Sequence, residues 1–197
     1  MGKLIFAMNV SLDGYVDGRS GHLEMPPPGP KLFNFWIENI RSLAATVYGR
    51  RMYEVMRYWD DDRPEWTDPY REFARAWRKL PKWVVSHTLP AVGPNATLIA
   101  GDIELQIRAL KARTAGTISV SGPQLAGLMT TLGLIDEYHL CVRPYVLGQG
   151  KPYFHAARPP LRLISTERID DATVHLAYEP SSTRAPSTPL SIAPKTL

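Results

Sequence analysis

The sequence predicts a single α/β domain: a mixed, mostly parallel sheet with helices on both faces and a C-terminal antiparallel hairpin. Three observations lead there. From Lys3 to Val142, short apolar runs alternate with segments of helical period, the pattern of parallel strands joined by crossover helices. Residues 161–168 and 173–178 alternate apolar and polar side chains around Asp170-Asp171, as a hairpin does. The 197 residues are 44% apolar and 21% charged, and a chain of this size buries about 70% of its unfolded surface without needing disulfides or metals.

Residues 3–10 form the first predicted strand, where Leu4, Ile5, Phe6, Ala7 and Met8 make an unbroken apolar run. Ser11-Leu12-Asp13-Gly14 stops it with turn chemistry. Residues 15–31 read as loop, closed by Pro26-Pro27-Pro28-Gly29-Pro30, a stiff spacer unsuited to helix or central strand. Phe33, Trp36, Ile37, Ile40 and Leu43-Ala44 then recur at helical spacing before a short strand at 46–48. Gly49-Arg50 leads into a second helix over 51–58, and the acidic, Pro-bearing 59–69 is loop. Phe73, Trp77 and Leu80 stand at i, i+4 and i+7, so a third helix ends before Pro81. Strands follow at 82–86 and 97–100, then a helix carrying Ile103, Ile107 and Leu110. Residues 117–120 are strand, Ser121-Gly122-Pro123 opens a helix through Leu132, and 137–142 is the last strand before the hairpin. The domain spans 1–179. Residues 180–197, rich in Ser, Thr and Pro without period, read as a flexible tail.

Composition narrows the function. One cysteine, Cys141, rules out an intramolecular disulfide and a Cys-rich zinc site, and points to a reducing, cytoplasmic setting. Residues 4–8 are too short an apolar run for a signal peptide, and no stretch is long enough to span a membrane. The net charge of +4 is spread along the chain, with no basic stripe interleaved by aromatics, so nucleic acid is not the expected partner. A small anionic ligand held by one or two arginines fits this balance.

Three strand-to-helix junctions carry the chemistry: Gly49-Arg50-Arg51, Ser86-His87-Thr88 and Ser121-Gly122-Pro123-Gln124. Helix N-termini present free N–H groups and a positive dipole end, which suit phosphate. Glycine permits close backbone approach, proline in a first turn loses no needed donor, and arginine clamps phosphate with two donors. Parallel strands gather such junctions at their C-terminal edge, where ligands bind. Together they predict a shared phosphate-bearing ligand. Neither G-x-G-x-x-G nor the P-loop pattern is present.

At this point the chain resembles the dihydrofolate-reductase-like family, which includes the C-terminal reductase domain of riboflavin-biosynthesis deaminase-reductases. The resemblance rests on Ser11-Leu12-Asp13-Gly14, Tyr48-Gly49-Arg50-Arg51-Met52-Tyr53-Glu54 and Lys82-Trp83-Val84-Val85-Ser86-His87-Thr88-Leu89. It continues through Ile118-Ser119-Val120-Ser121-Gly122-Pro123-Gln124-Leu125, Gly133-Leu134-Ile135-Asp136-Glu137 and Leu147-Gly148-Gln149-Gly150-Lys151-Pro152-Tyr153-Phe154. In family order these stretches cover residues 3–178. The resemblance implies the three-layer dihydrofolate-reductase-like fold, NADPH as cofactor and a homodimer. It also implies that Gly49, Arg50 and Arg51 meet the cofactor's phosphates, with Ser86, His87 and Thr88 near the adenosine 2′-phosphate. Ser121, Gly122, Pro123, Gln124 and Leu125 would hold the pyrophosphate. Val10, Asp13 and Gly14 would lie near nicotinamide and substrate.

Two departures restrict the reading. Folate reduction needs a carboxylate on the helix after the first loop, yet that position falls near Phe33, with Asn34 beside it and Glu38 a turn away. Deamination needs His-x-Glu and Pro-Cys-x-x-Cys; His22-Leu23-Glu24 matches the first, but one cysteine cannot supply the second. Hydride transfer asks the protein for alignment, exclusion of water and one proton source, for which Asp13 is the named candidate. The same aspartate also suits a plain turn. Trp59 is a candidate wall for a planar substrate. Asp60-Asp61-Asp62 reads as solvated, His139 and Cys141 as core, and His155 and His175 have no partner by spacing. No metal site is expected. The sequence therefore points to an NADPH-dependent oxidoreductase acting on a small heterocyclic or conjugated substrate. The alternative is an inactive nucleotide-binding or sensing module on the same fold.

Overall fold

The computed structural model describes residues 1–18 and 24–181. His22 and residues 182–197 of the expected tail lie outside the described residues. The strands are β1 (Lys3–Ser11), β2 (Tyr15–Asp17), β3 (Leu43–Gly49), β4 (Lys82–Val85), β5 (Ala96–Ile99), β6 (Thr117–Ser121), β7 (Glu137–Arg143), β8 (Lys151–Pro152), β9 (Leu161–Arg168) and β10 (Val174–Pro180). The helices are α1 (Pro30–Ser42), α2 (Arg50–Met56), α3 (Asp68–Lys79), α4 (Ile103–Arg113) and α5 (Pro123–Thr131), with a 3-10 turn at Arg57–Trp59. Eight strands form one sheet in the order β5-β4-β3-β6-β1-β7-β10-β9. Its pairings from β5 to β7 are parallel, and β10 joins β7 and β9 antiparallel.

The alternation in β1 explains the layers. Leu4, Phe6 and Val10 point to one face, where they are packed with Val47, Ile118 and Val120 under Ile107 and Leu110 of α4 and Ala126 and Met129 of α5. Burying a side chain such as Leu4 or Phe6 completely stabilises the fold by about 1.5–3 kcal/mol. On the other face α1 and α3 meet through Ile40, Trp77 and Leu80, and Trp77 Nε1 donates to the buried Tyr48 hydroxyl of β3 at 3.1 Å. Local chemistry sets the helix starts. Pro30 and Pro123 open α1 and α5, where a missing N–H costs nothing, and the Asp102 side chain caps α4 by accepting from Leu105 N at 2.9 Å.

Some boundaries differ from the sequence reading. Within the segment 15–31, Tyr15–Asp17 pairs antiparallel with Lys151–Pro152 as a separate two-stranded sheet, too short to show a period. Pro30 is the first helical residue of α1, where its fixed φ suits a first turn, rather than the last residue of a spacer. Leu43 and Ala44 belong to β3, not to the preceding helix, because the chain has already entered the sheet and Leu43 registers with Thr117. β10 runs through Pro180.

Candidate functional site

The three junctions follow β3, β4 and β6, and these strands are immediate neighbours in the order β4-β3-β6, with β1 next. Those after β3 and β6 open helices as expected, but Ser86-His87-Thr88 leads through a loop to β5, not into a helix, because the Ser86 hydroxyl folds the chain into a turn there. Register sets them level: Gly49 pairs with Val85, one residue before Ser86, and Tyr48 pairs with Ser121, one before Gly122. The sheet therefore presents Ser86-His87-Thr88, Gly49-Arg50-Arg51 and Ser121-Gly122-Pro123 side by side along its C-terminal edge, stepped by about 4.8 Å per strand. Val10, Asp13 and Gly14 sit at the end of β1, the next place along the row.

The groups along this edge are donors. Gly122 has φ +102° and is the N-cap of α5, a conformation L side chains rarely adopt. α5 has no side-chain cap, and its first intrahelical bond is Ala126 N to Gly122 O at 3.0 Å. Its leading amides thus have no partner within the helix. Arg50 and Arg51 are exposed; among the described residues Arg50 has one loose pairing, with Glu54 at 4.0 Å. The glycines bring two junctions together: a Cβ on Gly49 would touch Leu125 Cβ, and one on Gly122 would touch Met52 Cβ, both at ordinary contact distance. Ser86 is buried and its Oγ accepts from Thr88 N (3.1 Å) and Leu89 N (3.0 Å), which folds the turn so that His87 and Thr88 stand exposed. Gln124 is exposed and Leu125 half-buried. Val10 is buried in the core, so at the edge it offers its backbone.

Asp13 ties two loops together. Its carboxylate accepts from the Ser11 hydroxyl (2.6 Å), Leu147 N (3.1 Å) and Gly148 N (2.6 Å). Leu12 N donates to Tyr145 O, and Tyr153 N donates to Gly14 O, on either side of this clamp. The Ser11 hydroxyl, against some desolvation, and the two loop amides hold the Asp13 carboxyl below the usual carboxylate range. Gly150 sits where a Cβ would fall 2.0 Å from Asp17 O, so only glycine lets β8 approach β2 this closely. Arg143, buried at the end of β7, donates to Pro26 O (2.6 Å) and Pro27 O (3.3 Å) and fastens the proline run over the same edge.

On the face covered by α1, Trp36 Nε1 donates to Asn9 Oδ1 at 3.1 Å and anchors the helix on β1. Phe33 stacks on Tyr70 and lies against Phe73 of α3. Glu38 is exposed and paired with Arg41. No carboxylate of α1 is thus aimed at β1. Trp59 is packed among Tyr58, Trp66, Tyr70 and Phe73, with ring centroids 4.7–5.8 Å away, so it belongs to an aromatic cluster joining the 3-10 turn to α3. Asp60 and Asp62 are held by Arg57 and Arg78, and no group that could hold a metal occurs among the described residues.

One arrangement escapes sequence spacing. His175, which has no partner by spacing, lies with Nε2 3.1 Å from His139 Nδ1, and His139 Nε2 lies 3.0 Å from Glu137 Oε2. Against its own burial, hydrogen bonds from Lys3 and His139 hold the Glu137 carboxyl below the usual range. A carboxylate only accepts, so His139 carries its proton on Nε2 and accepts at Nδ1 from His175 Nε2–H. The register that brings the pair together, β7 against β10, is long-range and leaves no local signal.

A family model for the RibD C-terminal domain matches residues 2–175. The protein YyaP of Bacillus subtilis (strain 168), described as uncharacterized, is 29% identical over 184 residues, covering 89% of this chain and 94% of YyaP. Among solved structures, a Shewanella sp. PV-4 protein whose name refers to riboflavin biosynthesis superposes with a TM-score of 0.71 at 22% identity, covering 92% of this chain and 99% of that one. The Thermotoga maritima diaminohydroxyphosphoribosylaminopyrimidine deaminase/5-amino-6-(5-phosphoribosylamino)uracil reductase gives 0.64 at 14% identity, covering 91% of this chain and 57% of its own length. Dihydrofolate reductase from Enterococcus faecalis, complexed with NADP(H), gives 0.60 at 15% identity, covering 91% and 96%. These structures establish the dihydrofolate-reductase-like fold. Among the described residues, no helix is long and apolar enough to cross a membrane.

Proposed function

The chain belongs to the RibD C-terminal domain family, a reductase family, and from that premise we propose that it is an NADPH-dependent reductase that delivers a hydride to a small heterocyclic or conjugated substrate. One observation carries the reading: three donor-bearing junctions stand level on the adjacent strands β4, β3 and β6, and the row ends at β1. The residues fit an extended dinucleotide phosphate. His87 and Thr88 would meet the 2′-phosphate end, and Arg50 and Arg51 the phosphates beside Gly49. The uncapped first turn of α5, opened by Gly122, would receive the pyrophosphate. Bound along this row, NADPH would supply the hydride at the β1 end.

The chain's own part there is positioning. Asp13, ionised and clamped to Leu147 and Gly148, holds the turn after β1 against the 145–150 loop and so shapes the space beside the reacting carbon. Because that carboxylate is spent on three donors, we assign it first to alignment, which sets the distance a hydride must cross. The alternative, an inactive nucleotide-binding module, has no observation favouring it. Titration with NADPH and NADH tests the proposal. Saturable binding with preference for NADPH supports it, and loss of NADPH absorbance with a conjugated substrate completes it. Absence of binding refutes it.

A further inference from the structure

The row of donors does not stop at β1. β7 is the next strand of the sheet, and its last residue, Arg143, is level with Ser11. The side chain is buried, at 6% exposure, and its guanidinium meets the proline run that precedes α1. Its partners are neutral. Nη1 donates to Pro26 O (2.6 Å), Nη2 donates to Pro27 O (3.3 Å), and Cζ stands 5.0 Å from the centroid of the Tyr145 ring. Among the described residues, no carboxylate forms an ion pair with it.

A buried charge calls for a countercharge, because carbonyls replace only part of the hydration that a guanidinium gives up. The other buried cations among the described residues meet that need or avoid it. Lys111 is paired with Asp136. Lys82 lies at the opposite edge of the sheet and can shed its proton, since burial brings its pKa down to about 8. An arginine cannot. The carboxylates on the loops at this end are engaged elsewhere. Asp13 accepts from Ser11, Leu147 and Gly148, Asp17 is held by Lys151, and Asp170 accepts from Ala172 N and Thr173 N.

We propose that the substrate supplies the missing charge: it is a conjugated monoanion whose carboxylate is held by Arg143. This rests on the reading of the row as the cofactor site, which puts β1 and the strand beyond it on the substrate side. Two of the five guanidinium N–H groups are engaged, so three remain for the anion. The Pro27 carbonyl, the longer contact, is the acceptor a carboxylate displaces. A charge-assisted bond is roughly twice as strong as one to a neutral acceptor, and the planar fork of arginine matches a carboxylate with two parallel bonds. The charge count sets the class. One arginine balances one negative charge, and Lys151 nearby is already paired with Asp17. A phosphate dianion would leave a charge uncompensated in a covered site. The substrate therefore differs from the phosphoribosyl compound in the name of the Thermotoga maritima protein.

Three ligands that share a phenyl body and differ in charge test this: neutral benzamide, benzoate with one charge, and phenyl phosphate with two at pH 8. Each is titrated into the full 15N-labelled chain, with and without saturating NADPH, and binding is read from the amide shifts of residues 145–148. Benzoate should bind at least about 10-fold more tightly than benzamide and, with NADPH present, more tightly than phenyl phosphate. Arg143→Gln keeps donors for the two carbonyls and drops the charge, so it should bring benzoate down to the level of benzamide. Arg143→Lys keeps the charge on a single donor group and should retain a severalfold preference. Four results overturn the proposal: no preference for benzoate in the wild type, a preference that survives Arg143→Gln, a lysine variant that binds benzoate and benzamide alike, or phenyl phosphate bound more tightly than benzoate beside NADPH. An Arg143-dependent benzoate preference in a chain that does not bind NADPH would refute the reductase reading and leave the carboxylate site standing.

Discussion

The Asp13 carboxylate accepts the Gly148 amide at 2.6 Å across 135 residues of sequence. With the neighbouring Leu147 amide it joins the turn after β1 to the loop after β7, two segments that the sheet order already places side by side. A turn aspartate thereby becomes the clamp of the expected substrate end of the site.

Removing that clamp should loosen the loop without touching the phosphate end. Asp13→Asn keeps one acceptor oxygen for two amides. Hydrogen exchange at Leu147 and Gly148 is expected to rise severalfold, because the two amides lose a charged acceptor. NADPH affinity should stay within error. The wild-type clamp also has a pH limit of known sign. A carboxyl held below its ordinary 3.8 keeps its contribution above that pH and loses it as pH falls through the lowered native value. Protection of the two amides should therefore persist at pH 5 and vanish only below 3.8.

The His139–His175 pair predicts a second pH effect. Burial and the neighbouring His139 lower the His175 pKa from its ordinary 6.5, with Glu167 opposing. Around the pair stand Glu137 and Cys141 of β7, Glu167 of β9 and Phe35 of α1. Since unfolded His175 takes up its proton at higher pH than the native one, stability falls as pH drops below about 6.5. His175→Phe should flatten this part of the melting-temperature profile between pH 7.5 and pH 5. An unchanged slope would assign it to other groups.

Arg50→Ala and Arg51→Ala should each weaken NADPH binding, and at least one should weaken it more than NADH binding, by about 1.5–3 kcal/mol where a charged hydrogen bond is lost. Both arginines are exposed, so melting temperatures should change little. Isothermal titration of both nucleotides checks this. Unchanged affinities in both variants would move the phosphate site elsewhere.

Gly122 links backbone conformation to the same site. Its φ of +102° makes Gly122→Ala cost about 1–3 kcal/mol of stability even though the nearest side chain, Met52, leaves room for a methyl. The melting temperature should fall, and NADPH affinity with it, because the first turn of α5 is displaced. A stable variant with normal binding would remove that turn from the site.

The residues that made the fold legible are those with local period or local chemistry. β1, the α3 stripe of Phe73, Trp77 and Leu80, and the hairpin all announce themselves within one element, and the glycine-bearing junctions after β3 and β6 open helices as the sequence reads, while the one at Ser86 opens a loop to β5. What stayed hidden is long-range. β2 and β8 are three and two residues long and exist only because they meet each other. Leu43 could extend a helix by its spacing, yet tertiary pairing with β6 makes it strand. Asp13 looked like a turn residue or an acid, and its loop partners stand more than 130 residues away. His175 found its partner through strand register, which no spacing rule reports. The buried Arg143 that fastens Pro26 and Pro27 is similarly silent in the sequence.

The central claim, a row of donors on β4, β3 and β6 shaped for a dinucleotide phosphate, meets its most direct test in a titration of the purified chain with NADPH and NADH, followed by quenching of tryptophan fluorescence. NADPH should bind saturably in the micromolar range, clearly tighter than NADH, with a preference that shrinks in Arg50→Ala or Arg51→Ala. No saturable binding of either nucleotide would contradict it and leave the fold without the cofactor.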